Sequence, residues 1–374
     1  MKLLFAGASD GGYYRTQRKL LAKLISDNHQ IVIVSPRSNA AEKLIAIGCK
    51  FIEFPMQRHG VNPFEEIELI KKYRTILKSE EPDIVLTNTI KPNLYMGLLC
   101  RFMKIPYVMN ITGLGEGLLH EGRTKKVILK IYPFATKKAY CIFFQNVFNR
   151  QFFIDNKLAD PNVFRMLPGS GVDVTDYLPI EYPSDENGVR FMFVSRILKD
   201  KGIEELVNAF KIAKTKYNNI ELHIAGGCAE EYEESLKTWI KDGIVQYHGR
   251  VDDMKPLYGM MHCLIHPSYH EGMANVILES AACARPCLVS NINGCKEGVD
   301  DGKSGFVFPV KSVDAIVEMI DKFMALSNDN RKTMGLVGRQ IMEKEFNRNI
   351  VDNAYITVIS EIEKKLLLSD KNRN

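Results

Sequence analysis

The sequence predicts an α/β protein built from two doubly wound, parallel-sheet halves. Three observations carry that expectation. Short runs rich in Val, Ile, Leu and Phe alternate with longer segments of helical periodicity, the pattern of βα repeats feeding a parallel sheet. The alternation halts at a polar, proline-containing stretch, Pro179–Asn187, and then begins again. The chain of 374 residues is also long for a single core.

In the first half, KLLFAG reads as a strand and Tyr13–Ser26 as a helix, joined by the turn Gly7–Gly12. IVIVS is the next strand, Ala40–Ile47 a helix stopped by Gly48, Phe51–Phe54 a strand, and Phe64–Ser79 a helix. DIVLTN, Leu94–Met103 and PYVMNIT follow as strand, helix and strand. A glycine turn, GLGEG, leads into a mixed helix, Thr124–Lys138, and AYCIFF, Val147–Asn156 and VFRML complete the half. After the linker, RFMFVS, IELHIAG, IVQYHG and CLIHPS read as strands between the helices Ile203–Lys216, Glu231–Lys241 and Met254–Met261. The run Ala274–Ala282 is helical, CLVSN and GFVFP close the sheet, and helices follow at Val313–Leu326, Asp329–Phe346 and Asn353–Leu368. The expected domains are 1–180, 188–352, and a C-terminal helix and tail, 353–374, free to cross back to the first.

Composition is that of a globular protein, with 45% hydrophobic and 25% charged residues. No apolar run approaches the roughly 20 residues of a spanning helix. MKLLFAGASDGG has too short an apolar run for a secretory signal, so the expected location is the cytoplasm. Eight cysteines without a C-x-x-C pair read as reduced thiols, mostly in the core. The net charge of +5 is unevenly placed: residues 1–180 carry 25 Lys+Arg against 16 Asp+Glu, and the remainder 25 against 29. The basic half suits an anionic membrane, a phosphorylated lipid or nucleic acid, or is an ordinary surface bias.

The most informative stretch is HPSYHEGMANVILESAACARPC. Glu271 and Glu279 stand eight helical steps apart, roughly 12 Å. The first carboxylate therefore lies near a helix mouth and the second about two turns down. The amides of Gly272, Met273, Ala274 and Asn275 are expected to point out of that mouth, where a phosphate is favoured. A hexose, a diphosphate and a ribose in a row fit such a ruler. The plain alternative is two solvated glutamates on one helix. In VSRILKDKG, Arg196 ends a strand and Lys201 opens the next helix, a placement suited to a diphosphate leaving group. The alternative is a structural pairing of Arg196 with Glu204 or another acid. The Gly7–Gly12 turn lets backbone approach a phosphate but does not spell G-x-G-x-x-G.

Taken in order, VSRILKDKGIEELVNAF, IAGG, YHGRVDDMKPLY and HPSYHEGMANVILESAACARPCLVSNINGCKEGVDDGKSGFVFP resemble the retaining family 4 glycosyltransferases of GT-B fold. The resemblance implies two Rossmann-like domains facing across a cleft. It implies that Glu271 contacts the donor sugar, that backbone at Gly272–Asn275 contacts its hydroxyls and phosphate, and that Arg196 and Lys201 hold the diphosphate. Glu279 would hold the ribose, Gly249, Arg250 and Val251 would lie near the base, and Gly11 and Gly12 would face the donor phosphate. Gly294 and Glu297 match the loop after the next strand and receive no role. RHGVNP, TNTIKPNLYMG and NITGLGEG are similar to the branch that builds bacterial surface polysaccharides and lipid-linked oligosaccharides. The implied substrates are a nucleotide sugar, UDP-linked, and a polyprenyl-diphosphate-linked sugar, with no nucleic acid partner. Arg15, Arg18, Thr112 and Glu116 are the acceptor-side candidates. TKKVILKIYPFATKKAY, with five lysines among Ile, Leu and Phe, reads either as a membrane-surface helix or as one packed into the core, leaving peripheral attachment to the inner membrane face open.

One departure from the family pattern is the lack of a histidine in Asn110–Glu116, near the expected reacting centre; His59, His120, His266 and His270 are the other candidates. No D-x-D ends a strand with suitable neighbours, and Asp252-Asp253 reads as a helix N-cap region, so neither cofactor nor metal is expected. Two other functions stay open: a nucleotide-sugar 2-epimerase of similar fold, and a non-catalytic sugar-nucleotide-binding protein. A Rossmann oxidoreductase lacks its fingerprint.

Overall fold

In a computed structural model, which describes residues 1–56, 63–119 and 121–371, the chain forms two compact units. One contains Met1–Ser170 and Asn349–Asn374, the other Gly171–Arg348. In the first, strand and helix alternate as β1 (Lys2–Ala6), α1 (Asp10–Ser26), β2 (Gln30–Ser35), α2 (Ala40–Ala46), β3 (Lys50–Glu53), α3 (Pro63–Glu80), β4 (Ile84–Asn88), α4 (Ile90–Met103) and β5 (Tyr107–Ile111). Two helices in sequence, α5 (Gly115–Leu119) and α6 (Arg123–Thr136), precede β6 (Cys141–Phe144), α7 (Val147–Asp155) and β7 (Phe164–Met166). The second unit runs β8 (Val189–Val194), α8 (Ile203–Lys216), β9 (Ile220–Ala225), α9 (Glu233–Lys241), β10 (Val245–Tyr247), α10 (Lys255–Met260), β11 (Cys263–His266), α11 (Asn275–Ala282), β12 (Cys287–Ser290), β13 (Gly305–Phe308), α12 (Val313–Met324) and α13 (Asn328–Glu345). The last helix, α14 (Arg348–Lys371), returns to the first unit.

Both sheets are parallel, in the orders β3-β2-β1-β4-β5-β6-β7 and β10-β9-β8-β11-β12-β13. Their strands are apolar on both faces because helices cover both. In the first unit Leu4, Val32 and Val85 face α3, α4 and α6, while Leu3, Phe5 and Ile33 face α1 and α14. Val351, Tyr355, Val358, Ile359 and Ile362 form the buried stripe of α14, which explains why that helix belongs to this unit. In the second unit Phe191 and Phe193 pack towards α8 and α12, and Met192 and Val194 towards α10, α11 and α13.

The first unit ends before the Pro179–Asn187 stretch that reads as the linker, and three buried arginines explain the difference. Arg285 donates to the carbonyls of Ile180 (3.1 Å) and Glu181 (2.6 Å), Arg339 to that of Val174 (2.9 Å), and Arg331 pairs with Asp185 (2.9 Å). Buried guanidinium groups need acceptors, and here much of the supply is linker backbone. Segment 171–187 is thus stapled to the second unit. The eight cysteines are free thiols, and only Cys228 is not buried. Among the described residues no helix is long and apolar enough to cross a membrane.

Candidate active site

The switch point of the second sheet lies between β8 and β11, whose outer neighbours run in opposite directions along the order. Ligands of such sheets bind beyond the carboxyl ends of the strands at that place. The end of β8 leads to Arg196 and Lys201, and the end of β11 to Glu271. Two glycines let these loops meet. Gly202 has φ +70°, and a Cβ there would sit 2.2 Å from the Pro267 carbonyl oxygen. Gly294, φ +89°, would place a Cβ 2.7 Å from the carbonyl oxygens of both Glu271 and Gly272. Neither position accepts a side chain without moving backbone. The Tyr269 amide also donates to the Asp200 carbonyl (2.9 Å), docking one loop on the other.

At the meeting point Lys201 Nζ lies 2.6 Å from Glu271 Oε1, with each side chain 17% exposed. His266 Nε2, on the last residue of β11, lies 3.0 Å from the same oxygen. Burial pushes the Glu271 carboxyl up. The His266 hydrogen bond and charge, with the charge and hydrogen bond of Lys201, outweigh burial and hold it at about 2. An ionised carboxylate only accepts, so the His266 proton sits on Nε2. Arg196 is exposed and makes no hydrogen bond or ion pair among the described residues. Glu204, its structural alternative, instead accepts from Tyr232 Oη (2.6 Å). A fixed carboxylate paired with Lys201, with an unpartnered Arg196 on the same loop as that lysine, can orient a sugar and stabilise a departing diphosphate.

At the helix mouth, α11 starts at Asn275, with Gly272, Met273 and Ala274 in the preceding loop. The Ala274 amide donates to the Gly294 carbonyl (2.8 Å), so this N–H does not point out to a ligand as expected; the close approach at Gly294 takes it. Asn275 Oδ1 is buried without a partner among the described residues. Glu279 is buried and accepts from the buried phenol of Tyr258 (3.1 Å). Gly249 turns at the end of β10, its carbonyl accepting from the Gly226 amide (2.7 Å). Arg250 is exposed beside Gly227, and Val251 packs in part on the core. These loops bring β9 and β10 to the same end of the sheet.

In the first unit, Gly11 and Gly12 belong to the first turn of α1 and not to a free turn. Ser9 caps the helix by accepting from the Gly12 amide (3.2 Å), and Asp10 accepts from the Gly11 amide (2.6 Å), so these N–H groups are engaged locally. Arg15 is exposed on α1 and Arg18 lies over the Tyr14 ring. Thr112 follows β5, and Glu116 lies in α5, which replaces the glycine turn. His59, His120 and most of RHGVNP lie outside the described residues. His270 is exposed and has no bond to Glu271, whereas His266 does. Sequence reading named His266 only as one of several histidine candidates and favoured His270, next to Glu271, since a lone histidine is more often structural. Its only signal was its place at the tip of a parallel strand. Gly294 and Glu297 also gain a role: Glu297 accepts from the Gly294 amide (2.7 Å) and so braces the loop beneath Glu271. Asp253 accepts from the Lys255 amide (3.2 Å) at the start of α10. Among the described residues no group of three or more His, Cys, Asp or Glu is arranged to hold a metal ion.

Two Rossmann-like parallel-sheet units, with a cation–carboxylate cluster at the switch point of the second, place the chain in the GT-B fold class. The chain belongs to the family 4 glycosyltransferases: residues 177–340 match the family model Glycosyl transferases group 1, and residues 2–146 match Glycosyl transferase 4-like. It is therefore a glycosyltransferase. It is 22% identical, over 98% of its length and 100% of the relative's, to the N,N'-diacetylbacillosaminyl-diphospho-undecaprenol alpha-1,3-N-acetylgalactosaminyltransferase of Campylobacter jejuni. It is 23% identical, over 74% of its length and 76% of the relative's, to the UDP-Gal:alpha-D-GlcNAc-diphosphoundecaprenol alpha-1,3-galactosyltransferase of Escherichia coli. The fold matches that of Anabaena Alr3699/HepE, solved in complex with UDP and glucose, at a TM-score of 0.79, 16% identity and 96% and 100% coverage of the two chains.

Proposed function

We propose that this enzyme moves a hexose or N-acetylhexosamine, with retention, from a UDP-sugar to the sugar of a polyprenyl-diphosphate-linked acceptor in glycan assembly. The observation that carries the reading is the Lys201–Glu271–His266 cluster at the switch point, with the exposed and unpartnered Arg196 on the loop that follows β8. The two relatives above act on undecaprenyl-diphosphate-linked sugars, which supports the acceptor class. In the proposed reaction the acceptor hydroxyl attacks the anomeric carbon from the leaving-group face. The bond from that carbon to the diphosphate oxygen breaks, and the departing phosphate takes the acceptor proton. Arg196 and Lys201 stabilise the diphosphate, and Glu271 orients the sugar and offsets positive charge at the anomeric carbon. Glu279 serves the ribose and the Gly249–Val251 turn the base, while Arg15, Arg18 and Thr112 serve the acceptor. No protein base and no metal are required.

Attachment to an anionic membrane surface completes the proposal. On α6, Lys126, Val127 (52% exposed), Lys130 and Phe134 (59% exposed) share the outward face. Phe102 (75% exposed) stands on α4, and the neighbouring Arg101 donates to the Phe134 carbonyl (3.0 Å). Apolar side chains among lysines, with the other side of α6 in the core, suit a lipid interface. The test of the reaction is nucleoside diphosphate release from UDP-, GDP- and ADP-sugars, with and without a polyprenyl-diphosphate-linked sugar, in the presence of a chelator. Release that needs both one donor and the lipid, and that survives chelation, is expected. A new sugar isomer without release would identify an epimerase.

A further inference from the structure

Lys201 and His266 both bond Oε1 of Glu271, at 2.6 and 3.0 Å, and Oε2 has no partner among the described residues. Two donors on one oxygen fix the plane of the carboxylate and leave the other oxygen for a group from outside. The two donors differ in freedom. Lys201 is a flexible ammonium that also lies 3.4 Å from Ser268 Oγ, and a diphosphate competes for it. His266 is 2% exposed, sits on a central strand and stacks on Phe193 with centroids 6.4 Å apart. It has nowhere else to go.

We propose that His266 is a positioning residue: it holds Oε1 of Glu271 while Lys201 turns to the diphosphate, so that only Oε2 is presented to a hydroxyl of the donor sugar. The sugar's presence rests on the reading above; the clamp itself does not. Without the imidazole, a desolvated carboxylate would lose its remaining fixed donor at the moment the lysine leaves. The groups facing Glu271 are Lys201, His266 and Cys295, with Glu297 on the same loop as the cysteine. Burial keeps the Cys295 thiol neutral, so Lys201 and His266 are the facing groups that lower the Glu271 carboxyl.

The test uses two variants of the full chain. His266→Leu removes the donor and keeps an apolar filling, and His266→Gln restores an N–H of similar reach. His266→Leu is expected to lower kcat by about 10- to 100-fold with donor KM changed less than about 3-fold, because orientation and not ground-state binding is lost. Its kcat should gain an acidic limb at a higher pH than in the wild type as Glu271 becomes easier to protonate. His266→Gln should recover most of kcat and lose the limb. Nitrogen-15 NMR of the free protein should show the His266 proton on Nε2 and a change in that signal in Glu271→Gln. Wild-type kcat and pH profile in His266→Leu, or a ring proton on Nδ1, would overturn the proposal. If no variant and no wild type transfers sugar, the functional reading fails while the NMR result still decides the clamp.

Discussion

Replacing Glu271 by Gln keeps shape and removes charge, and its effect on stability can be worked from the site. The carboxyl is held at about 2, against an ordinary 4.5. At about 1.4 kcal/mol per pH unit, ionised Glu271 contributes about 3 kcal/mol to the folded second unit. A depressed pKa stabilises above the unfolded value. The contribution is therefore full at pH 7, shrinks as pH falls below 4.5, and vanishes near 2. The chain's single tryptophan, Trp239, lies in α9 and is buried, so its fluorescence reports the second unit alone. With a urea slope of about 2 kcal/mol per molar, Glu271→Gln should lower the midpoint by about 1.5 M at pH 7. The gap between variant and wild type should narrow on acidification. An unchanged midpoint at pH 7, or a gap constant down to pH 3, would refute the electrostatic account of the cluster.

Arg196→Ala should leave that midpoint unchanged, since the side chain is exposed and unpartnered, yet weaken UDP binding by about 10-fold in calorimetry and slow transfer with it. Gly202→Ala should cost about 2 kcal/mol or more by the same fluorescence, because its Cβ would strike the Pro267 carbonyl in a left-handed backbone. Phe102→Ser with Phe134→Ser should abolish most co-sedimentation with anionic vesicles. Binding of the wild type should fall as salt rises, and equal binding to neutral vesicles would contradict a charged interface.

The order of strands and helices was legible because each element carries its own periodicity. Limits failed where distant groups decide them. Nothing local in 171–187 announces that Arg285, Arg331 and Arg339 will take its carbonyls and Asp185. Gly11 and Gly12 read as a turn because glycine weakens helices, but the Ser9 cap and Asp10 start α1 there. In the site, Lys201 and Glu271 were visible as separate motifs. That they bond each other, 70 positions apart, follows only from the packing of the Asp200 and Pro267 loops. The engagement of the Ala274 amide by Gly294 was hidden for the same reason.

The central claim is that the Glu271 cluster serves sugar transfer to a lipid-linked acceptor. Its most direct test is transfer of labelled sugar from a UDP-sugar panel to a polyprenyl-diphosphate-linked sugar, comparing wild type with Glu271→Gln at a urea-free pH of 7. The account predicts one donor that labels the lipid and releases UDP in equal amount, with the variant slower by about 100-fold or more while still folded. Lipid labelling at the wild-type rate by Glu271→Gln would contradict it.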